Sequence, residues 1–296
     1  MTSGDAYVPR EQPRTERVAL RGVDYHITRW GSDSRPLVFY LHGWGDTGST
    51  FQQVADTLAD RWQLLAPDWR GFGRSSHAVS GYWFPDYLAD LDALLEHYSP
   101  NAPVDLIGHS MGGNVAGLYA GVRPQRVRSF INVEGFGLPD TDAERAPVRY
   151  ADWLTGQRTD LSYRRYTNFD ELAARVRSRA PNVSPGYARF VAGEWGEEAN
   201  GQVSLRMDPR HRLPNPVLYR RAEASACWRQ IDAAVALVLG EDSPFAATAD
   251  EWANALPGGT APVHRVADAG HMLHFEAAQE LAEVLHRQLS DWNALD

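Results

Sequence analysis

The chain has 296 residues, of which 43% are hydrophobic and 23% are charged. These values are close to those of ordinary globular proteins and exclude a wholly disordered chain, and the length suits one large domain or a domain with an insertion. The net charge of −9 argues against nucleic acid as a partner, because binding to phosphates requires a basic surface.

Two features of the composition exclude whole classes of chemistry. All 29 basic residues are arginine, so the chain offers neither a Schiff-base lysine nor the phosphate-contacting lysine of a P-loop. Cys227 is the single cysteine, which excludes an internal disulfide, a thiolate zinc cage and a C-x-x-C redox pair. A reducing compartment fits best, and we expect a cytoplasmic protein.

The start of the chain and its longest apolar run bear on membrane contact. Residues 1–15 are polar and lack the apolar segment of a signal peptide, so we expect a disordered or frayed lead-in. The run 233–239 is far shorter than the roughly 20 apolar residues that span a bilayer. A membrane partner is therefore not expected.

Short apolar segments recur along the chain, with helical patterns between them. Segments 16–20 and 23–30 flank Arg21-Gly22 and predict an antiparallel hairpin. Leu88, Leu91 and Leu95 share one helical face, and a last helix is predicted over about 275–289. Further strands are predicted at 37–41, 63–66, 104–107, 129–133, 235–239 and 263–266. This pattern predicts an α/β fold, with a mostly parallel, doubly wound sheet covered by helices on both faces.

The alternation stops in residues 138–229, where helical patterns replace strands and aromatic residues accumulate. We interpret 138–229 as a helical cap inserted into a core formed by 16–137 and 230–296. The cap holds 15 arginines against 12 acidic residues, whereas the rest of the chain holds 14 against 26. Its aromatic residues as a group are expected to line part of a pocket, and the arginine excess is interpreted as solvated helix surface rather than an anion-attracting one. These aromatic residues include Trp153, Tyr163, Tyr166, Phe169, Tyr187, Phe190, Trp195 and Tyr219.

The most informative motif is G-x-S-x-G at residues 108–112. It follows the predicted strand 104–107 and precedes the helical pattern 114–121. A serine at such a sharp strand-to-helix turn projects its hydroxyl from the carboxyl edge of the sheet, and small neighbours are needed because the backbone is strained and closely packed. Ser110 is therefore the candidate nucleophile.

With this motif the sequence resembles the α/β-hydrolase superfamily over nearly the whole chain. Three further stretches carry the resemblance, namely HGWG at 42–45, DWRGFGRS at 68–75 and DAGH at 268–271. The chain looks like the serine-hydrolase-like and esterase groups, because epoxide hydrolases and haloalkane dehalogenases place aspartate where Ser110 stands. The resemblance implies an α/β-hydrolase fold and serine-dependent hydrolysis.

His271 is the candidate general base. A serine hydroxyl is a poor nucleophile at neutral pH and needs a base within hydrogen-bond reach, most often histidine. His271 fits because it follows the last predicted strand, in a loop of small residues just ahead of the last helix. His274 completes an H-x-x-H pattern, but no third ligand cluster supports a metal site, and none is expected.

The acid that orients His271 has two candidates. In the commonest form of the family the carboxylate is the third residue after the glycine that closes the strand following the cap, and here Ser243 holds that place. Asp242 is one residue short, and a slip of one residue near a strand end turns a side chain to the other face. Glu134 ends the strand before the cap, where some relatives carry the acid, and a carboxyl at the end of an apolar run is otherwise costly to bury. We favour Glu134, with Asp242 as the alternative.

Acyl transfer also needs donors for the developing oxyanion. The family pattern points to the backbone N–H groups of Met111, after the nucleophile, and Trp44, after the third strand. Two other glycine patterns, at 43–50 and 71–76, lack the lysine of a P-loop and the third glycine of a dinucleotide fingerprint. No cofactor is therefore expected.

These residues lead to one expected function and two alternatives. We expect a serine hydrolase that cleaves a carboxylic ester, thioester or lactone of mainly apolar character through an acyl-enzyme on Ser110, with this small molecule as its partner. Fold alone does not separate this from a cofactor-free lyase or dioxygenase with the same Ser-His pair. A non-catalytic member that binds a small apolar ligand is the third possibility.

Overall fold

A computed structural model describes residues 6–78, 81–259 and 261–294. The strands are β1 Arg14–Leu20, β2 Val23–Trp30, β3 Leu37–Leu41, β4 Gln63–Pro67, β5 Val104–His109, β6 Val127–Val133, β7 Gly196–Ala199, β8 Gln202–Leu205, β9 Ala234–Gly240 and β10 Val263–Val266. The α-helices are α1 Gln52–Leu58, α2 Phe84–Tyr98, α3 Met111–Val122, α4 Ala146–Gly156, α5 Phe169–Arg179, α6 Pro185–Trp195, α7 Arg221–Trp228, α8 Ala246–Ala255, α9 Leu273–Glu276 and α10 Ala278–Asn293. None of the helices in these ranges is long and apolar enough to cross a bilayer.

The main sheet confirms the predicted α/β design. Its eight strands lie in the order β1-β2-β4-β3-β5-β6-β9-β10. The β1–β2 and β2–β4 pairs are antiparallel, and the pairs from β4 to β10 are parallel. The chain places β4 on one side of β3 and β5 on the other, so the winding direction reverses between β3 and β5. Open α/β sheets bind ligands at the carboxyl edge beside such a reversal.

Helices cover both faces of the sheet, which explains why its inner strands are continuously apolar. On one face, residues of α2, α3 and α8 pack with β3, β5 and β9 around buried Phe130, Trp228 and Trp252. On the other face, α1 and α10 pack around Trp30, Tyr40 and Phe51. Strands β5 and β6 are almost wholly buried as a result.

The segment 138–229 contains helices α4 to α7, and it also contains an antiparallel hairpin of β7 and β8 that the sequence did not predict. Helices α5 and α6 form a small core of their own with Leu172, Val176 and Tyr187, and this core continues into Phe275 beside the last strand. Helix α7 packs on α3 so closely that a methyl group on Gly121 would lie 1.9 Å from the carbonyl oxygen of Cys227 in α7. The division into core and cap stays a prediction.

Two local expectations differ from the structure. The last helix, predicted as one element over about 275–289, is two helices, because Ala277 leaves the helical region with φ −137° and ψ 52° between α9 and α10. Residues 6–13 form no helix or strand, yet the Tyr7 hydroxyl donates a hydrogen bond to Asp56 on α1, and its ring packs on Tyr187 and Phe190. The first five residues of the expected lead-in lie outside the described residues.

Candidate active site

Ser110 lies in the turn between β5 and α3, at the carboxyl edge of the sheet. Its backbone has φ 50° and ψ −114°, a strained conformation for a residue with a side chain. A methyl group on Gly112 would lie 2.1 Å from the carbonyl oxygen of Leu41, and one on Gly108 would lie 2.7 Å from the backbone of α3. The two glycines of the motif are therefore needed because strand and helix approach each other too closely for a Cβ.

His271 follows β10 and reaches Ser110 across the sheet edge. Its Nε2 lies 3.0 Å from Ser110 Oγ, a hydrogen-bond distance. The His271 side chain is 27% exposed, and the ring of Phe245 meets it edge-on at 5.1 Å. The Nε2–H of His109 donates to the backbone carbonyl of His271 at 2.8 Å and holds that loop. The imidazole is thus placed to accept the serine proton.

Glu134 ends β6 and lies behind the His271 ring. Its Oε2 is 3.2 Å from His271 Nδ1, and its side chain is fully buried. Its Oε1 accepts the backbone N–H of Gly240 at 2.9 Å. Asp242 is exposed, and its backbone N–H donates to Ala269. Of the two predicted acids, the structure brings Glu134 to His271.

Ser243 acts on this carboxylate, a contact that the sequence analysis did not anticipate. Its hydroxyl donates to Glu134 Oε2 at 2.5 Å. The place at which the family commonly carries the acid is therefore occupied by a donor to an acid from the neighbouring strand. A serine at that place, together with a glutamate at the end of β6, was the available signal.

The loop after β3 runs beside Ser110. A methyl group on Gly43 would lie 3.1 Å from Ser110 Cβ, so the loop backbone approaches the nucleophile closely. Met111 is the first residue of α3, and its N–H belongs to the helical turn whose donors lack intrahelical acceptors. Trp44 is 44% exposed. The assignment of the Trp44 and Met111 amides to an oxyanion site stays a prediction.

His42 holds this loop through hydrogen bonds that require one tautomer of its ring. Its Nδ1–H donates to the carbonyl of Gly43 at 2.7 Å, and its Nε2 accepts the backbone N–H of Trp69 at 2.9 Å. Burial lowers the pKa of His42 and favours the neutral ring that this pattern requires. The histidine of the HGWG stretch therefore has a loop-packing role.

A second histidine-acid pair is buried next to the site. His274 Nε2 lies 2.9 Å from Asp46 Oδ2, and Asp46 Oδ1 accepts from Thr50 Oγ1 at 2.6 Å and Trp195 Nε1 at 2.8 Å. Burial acts to raise the pKa of Asp46, but His274, His42 and the hydrogen bond from Thr50 together outweigh it and hold that pKa below its usual value. Asp46, His274 and His109 offer ligand atoms within 4.8 Å of one another, as a metal site would require. Both Asp46 oxygens already accept hydrogen bonds, so the carboxylate is satisfied as it stands.

A cavity of about 220 Å³ opens between the loop after β3 and the segment 138–229. Three of the predicted pocket aromatics, Tyr163, Tyr166 and Trp195, line it, whereas Tyr187 is fully buried in the core of α5 and α6. The cavity borders the candidate oxyanion loop through Trp44, and neither Ser110 nor His271 is among its lining residues. The cavity therefore lies on the side of this loop and is not formed by the candidate catalytic residues themselves. Its other lining residues are Gly45, Asp46, Thr47, Phe72, Leu172, Leu205, Met207 and four arginines.

The family model for the alpha/beta hydrolase fold matches residues 36–278. The chain therefore belongs to the α/β hydrolase fold family. It is 29% identical to a serine hydrolase-like protein of Danio rerio over 230 residues, 73% of this chain and 68% of that protein. It is 23% identical to the 2-(acetamidomethylene)succinate hydrolase of Mesorhizobium japonicum over 235 residues, 79% of this chain and 80% of that protein. A solved thioesterase domain from the curacin biosynthetic pathway is similar, with a TM-score of 0.81 and 26% identity over 92% of this chain and 99% of that domain.

Proposed function

We propose that this chain is a serine hydrolase that cleaves a carboxylic ester, thioester or lactone through an acyl-enzyme on Ser110. The observation that carries the proposal is the continuous contact from Ser110 Oγ to His271 Nε2, at 3.0 Å, and from His271 Nδ1 to Glu134 Oε2, at 3.2 Å. A nucleophile, a base and an orienting acid in this order are what acyl transfer needs.

The proposed reaction has two halves. Ser110 Oγ attacks the carbonyl carbon while its proton passes to His271 Nε2, and the bond to the alcohol or thiol then breaks as that group takes the proton. Water next attacks the acyl-serine, His271 takes a proton from it, and the carboxylic acid leaves as Ser110 regains its hydrogen. Glu134 holds the tautomer with the proton on Nδ1 and stabilises the imidazolium. The N–H groups of Met111 and Trp44 are proposed to bind the oxyanion.

The names of related proteins support the hydrolase class. The Danio rerio relative is named serine hydrolase-like, and the similar curacin domain is named a thioesterase. The Mesorhizobium japonicum relative is named for the hydrolysis of 2-(acetamidomethylene)succinate. A small-molecule substrate fits the cavity, whose aromatic and aliphatic wall, formed by residues such as Trp44, Phe72 and Leu205, suits an apolar part of the acyl group.

The test is covalent labelling combined with turnover. The wild-type protein is incubated with a fluorophosphonate and weighed intact by mass spectrometry, and it is assayed on p-nitrophenyl esters of increasing acyl length. We expect one adduct, located at Ser110, and ester turnover that Ser110→Ala abolishes. An unlabelled protein that releases product from a carbanion-forming substrate would favour the lyase or dioxygenase instead. An inert protein whose ligand affinity is unchanged by Ser110→Ala would favour a binding member.

A further inference from the structure

The cavity beside the oxyanion loop carries an unusual balance of charge. Four arginines line it against one acidic residue, Asp46. That carboxylate is occupied on both oxygens by His274, Thr50 and Trp195. Among the described residues that line the cavity, none therefore offers these arginines a carboxylate oxygen free of other hydrogen bonds. The four arginines are Arg164, Arg175, Arg179 and Arg206.

Three of these arginines are engaged outside the cavity. Arg164 forms an ion pair with Glu171. Arg206 donates to the carbonyl of Gly196 at 2.9 Å, and Arg175 has a contact of 3.4 Å to the hydroxyl of its neighbour Ser178. Their guanidinium groups are at least partly satisfied by the protein itself.

Arg179 differs from the other three. It forms no hydrogen bond or ion pair with any residue in 6–78, 81–259 or 261–294, and its guanidinium lies over the ring of Trp195, 5.4 Å from the centroid. The surrounding protein acts to lower the pKa of Arg179, and the charge of Asp46 partly opposes that shift. The residue is nevertheless exposed, and arginine stays protonated in proteins, so a cation that forms no ion pair with a described carboxylate borders the cavity.

The position of Arg179 relates it to the candidate nucleophile. A methyl group on Gly45 would lie 3.6 Å from Arg179 Nη1, and one on Gly43 would lie 3.1 Å from Ser110 Cβ. Two residues of extended chain span at most about 7 Å, and each of the two Cα–Cβ bonds adds about 1.5 Å. Arg179 Nη1 and Ser110 Cβ are therefore separated by less than about 17 Å. One acyl chain bound along this loop can reach both groups.

We propose that Arg179 binds an anionic group at the far end of the acyl chain, so that the preferred substrate is an ester or thioester of a carboxylic acid bearing a second carboxylate or similar oxyanion. The inference rests on the proposed serine hydrolase function and specifies its substrate class. The planar guanidinium presents parallel N–H donors that match a carboxylate, and such charge-assisted bidentate hydrogen bonds are stronger than those between neutral groups. The apolar wall of the cavity then accommodates the methylene chain between the anion and the reacting carbonyl.

A purely structural role for Arg179 is the competing explanation. It is the last residue of α5, where a cation interacts favourably with the helix dipole. Arg177 lies in the same last turn and is exposed like Arg179, but it does not line the cavity. Arg177→Gln is therefore the matched control, because it removes the same charge from the same helix end.

The experiment compares half-thioesters of dicarboxylic acids, from succinyl to sebacyl, with the same compounds capped as neutral carboxamides. For the best chain length we expect kcat/KM to be about 10- to 100-fold higher for the carboxylate in the wild type and in Arg177→Gln. In Arg179→Gln that preference should fall to within about threefold, while turnover of the carboxamide stays within about threefold of wild type. A sulfonate-terminated series shows whether the subsite favours a planar or a tetrahedral oxyanion, and a preference for either over the carboxamide supports the inference.

Several results would overturn the inference without touching the proposed function. Turnover of both series with no charge preference would do so, as would a preference that survives Arg179→Gln or disappears equally in Arg177→Gln. The inference can also be tested without turnover, by calorimetric titration of Ser110→Ala with the carboxylate and carboxamide compounds, which this variant does not hydrolyse. Equal affinities of the variant for the two compounds would refute the inference. Failure of fluorophosphonate labelling together with inert esters would refute the hydrolase function itself.

Discussion

Replacement of Glu134 by glutamine changes one functional group and reverses a hydrogen bond to His271. Glu134 Oε1 accepts the N–H of Gly240 at 2.9 Å, and that donor can face only the carbonyl oxygen of the new amide. The amide NH₂ must then take the place of Oε2, 3.2 Å from His271 Nδ1, and donate to it. His271 consequently carries its proton on Nε2, the atom 3.0 Å from Ser110 Oγ, and cannot accept the serine proton.

The magnitude follows from this tautomer. A triad held in the wrong tautomer loses about 10⁴-fold in kcat, or about 5.4 kcal/mol of transition-state stabilisation at ~1.36 kcal/mol per tenfold change. KM should change little, because Glu134 is buried behind the ring and does not line the cavity. The assay is steady-state turnover of a short p-nitrophenyl ester, with thermal unfolding to show that the variant is folded.

The control is Asp242→Asn, because Asp242 is exposed and its removal should leave kcat within about threefold. Ser243→Asp in the Glu134→Gln background tests the geometry further, since Ser243 Oγ lies 2.5 Å from the oxygen that contacts His271. A carboxylate there should restore about 10- to 100-fold of the lost rate. A folded Glu134→Gln variant that keeps kcat within tenfold of wild type, with Asp242→Asn losing orders of magnitude, would refute the assignment.

Two further predictions concern stability. Burial lowers the pKa of His211, which is stacked between aromatic rings, to about 3, so the unfolded chain with a pKa near 6.5 binds more protons below that pH. The free energy of unfolding therefore falls as pH drops through 6.5, by about 2 kcal/mol at pH 5. Urea unfolding at pH 7 and pH 5 should show a smaller decrease in this free energy for His211→Gln than for the control His97→Gln, whose histidine is exposed. Equal decreases in the two variants would contradict the prediction. Gly112→Ala forces a methyl group to 2.1 Å from the Leu41 carbonyl oxygen and should lower both the unfolding temperature and kcat. The control is Gly193→Ala in α6, where open space surrounds the glycine, and it should leave kcat unchanged and the unfolding temperature equal or higher. A Gly112→Ala variant with unchanged unfolding temperature and kcat would show that the turn around Ser110 can relax.

Local patterns were sufficient for the eight strands of the main sheet, though not for β7 and β8, and for two of the three residues in the proposed triad. The apolar runs that became β3, β5 and β9 are buried on both faces, so their hydrophobicity reports their position directly. Ser110 was identifiable because the turn that exposes it demands glycines at fixed offsets. The break at Ala277 was not visible, since the apolar periodicity continues through it and only the backbone angles of Ala277 separate α9 from α10.

Which acid contacts His271 depends on how distant chain segments pack, and the sequence does not give those distances. Glu134 and Asp242 both end apolar strands and both follow Ser110 in the chain, so composition and spacing leave them nearly equal. The parallel pairing of β6 with β9 brings Glu134 beneath the His271 ring and places the Ser243 hydroxyl on its carboxylate. A one-residue difference at the end of β9 decided the matter, because it left Asp242 exposed.

The arginine excess of the segment 138–229 also shows the difference between what residue counts predict and what packing decides. Counting charges favoured solvated helix surface, and Arg177 and Arg179 are indeed both exposed. The folded chain nevertheless turns Arg179 toward the loop after β3, two residues further along the same helix. Residue type and periodicity establish which groups are present and which elements carry them. The direction in which a side chain at a helix end points, and what it meets across a cavity, depends on how distant elements pack, and no local pattern encodes it.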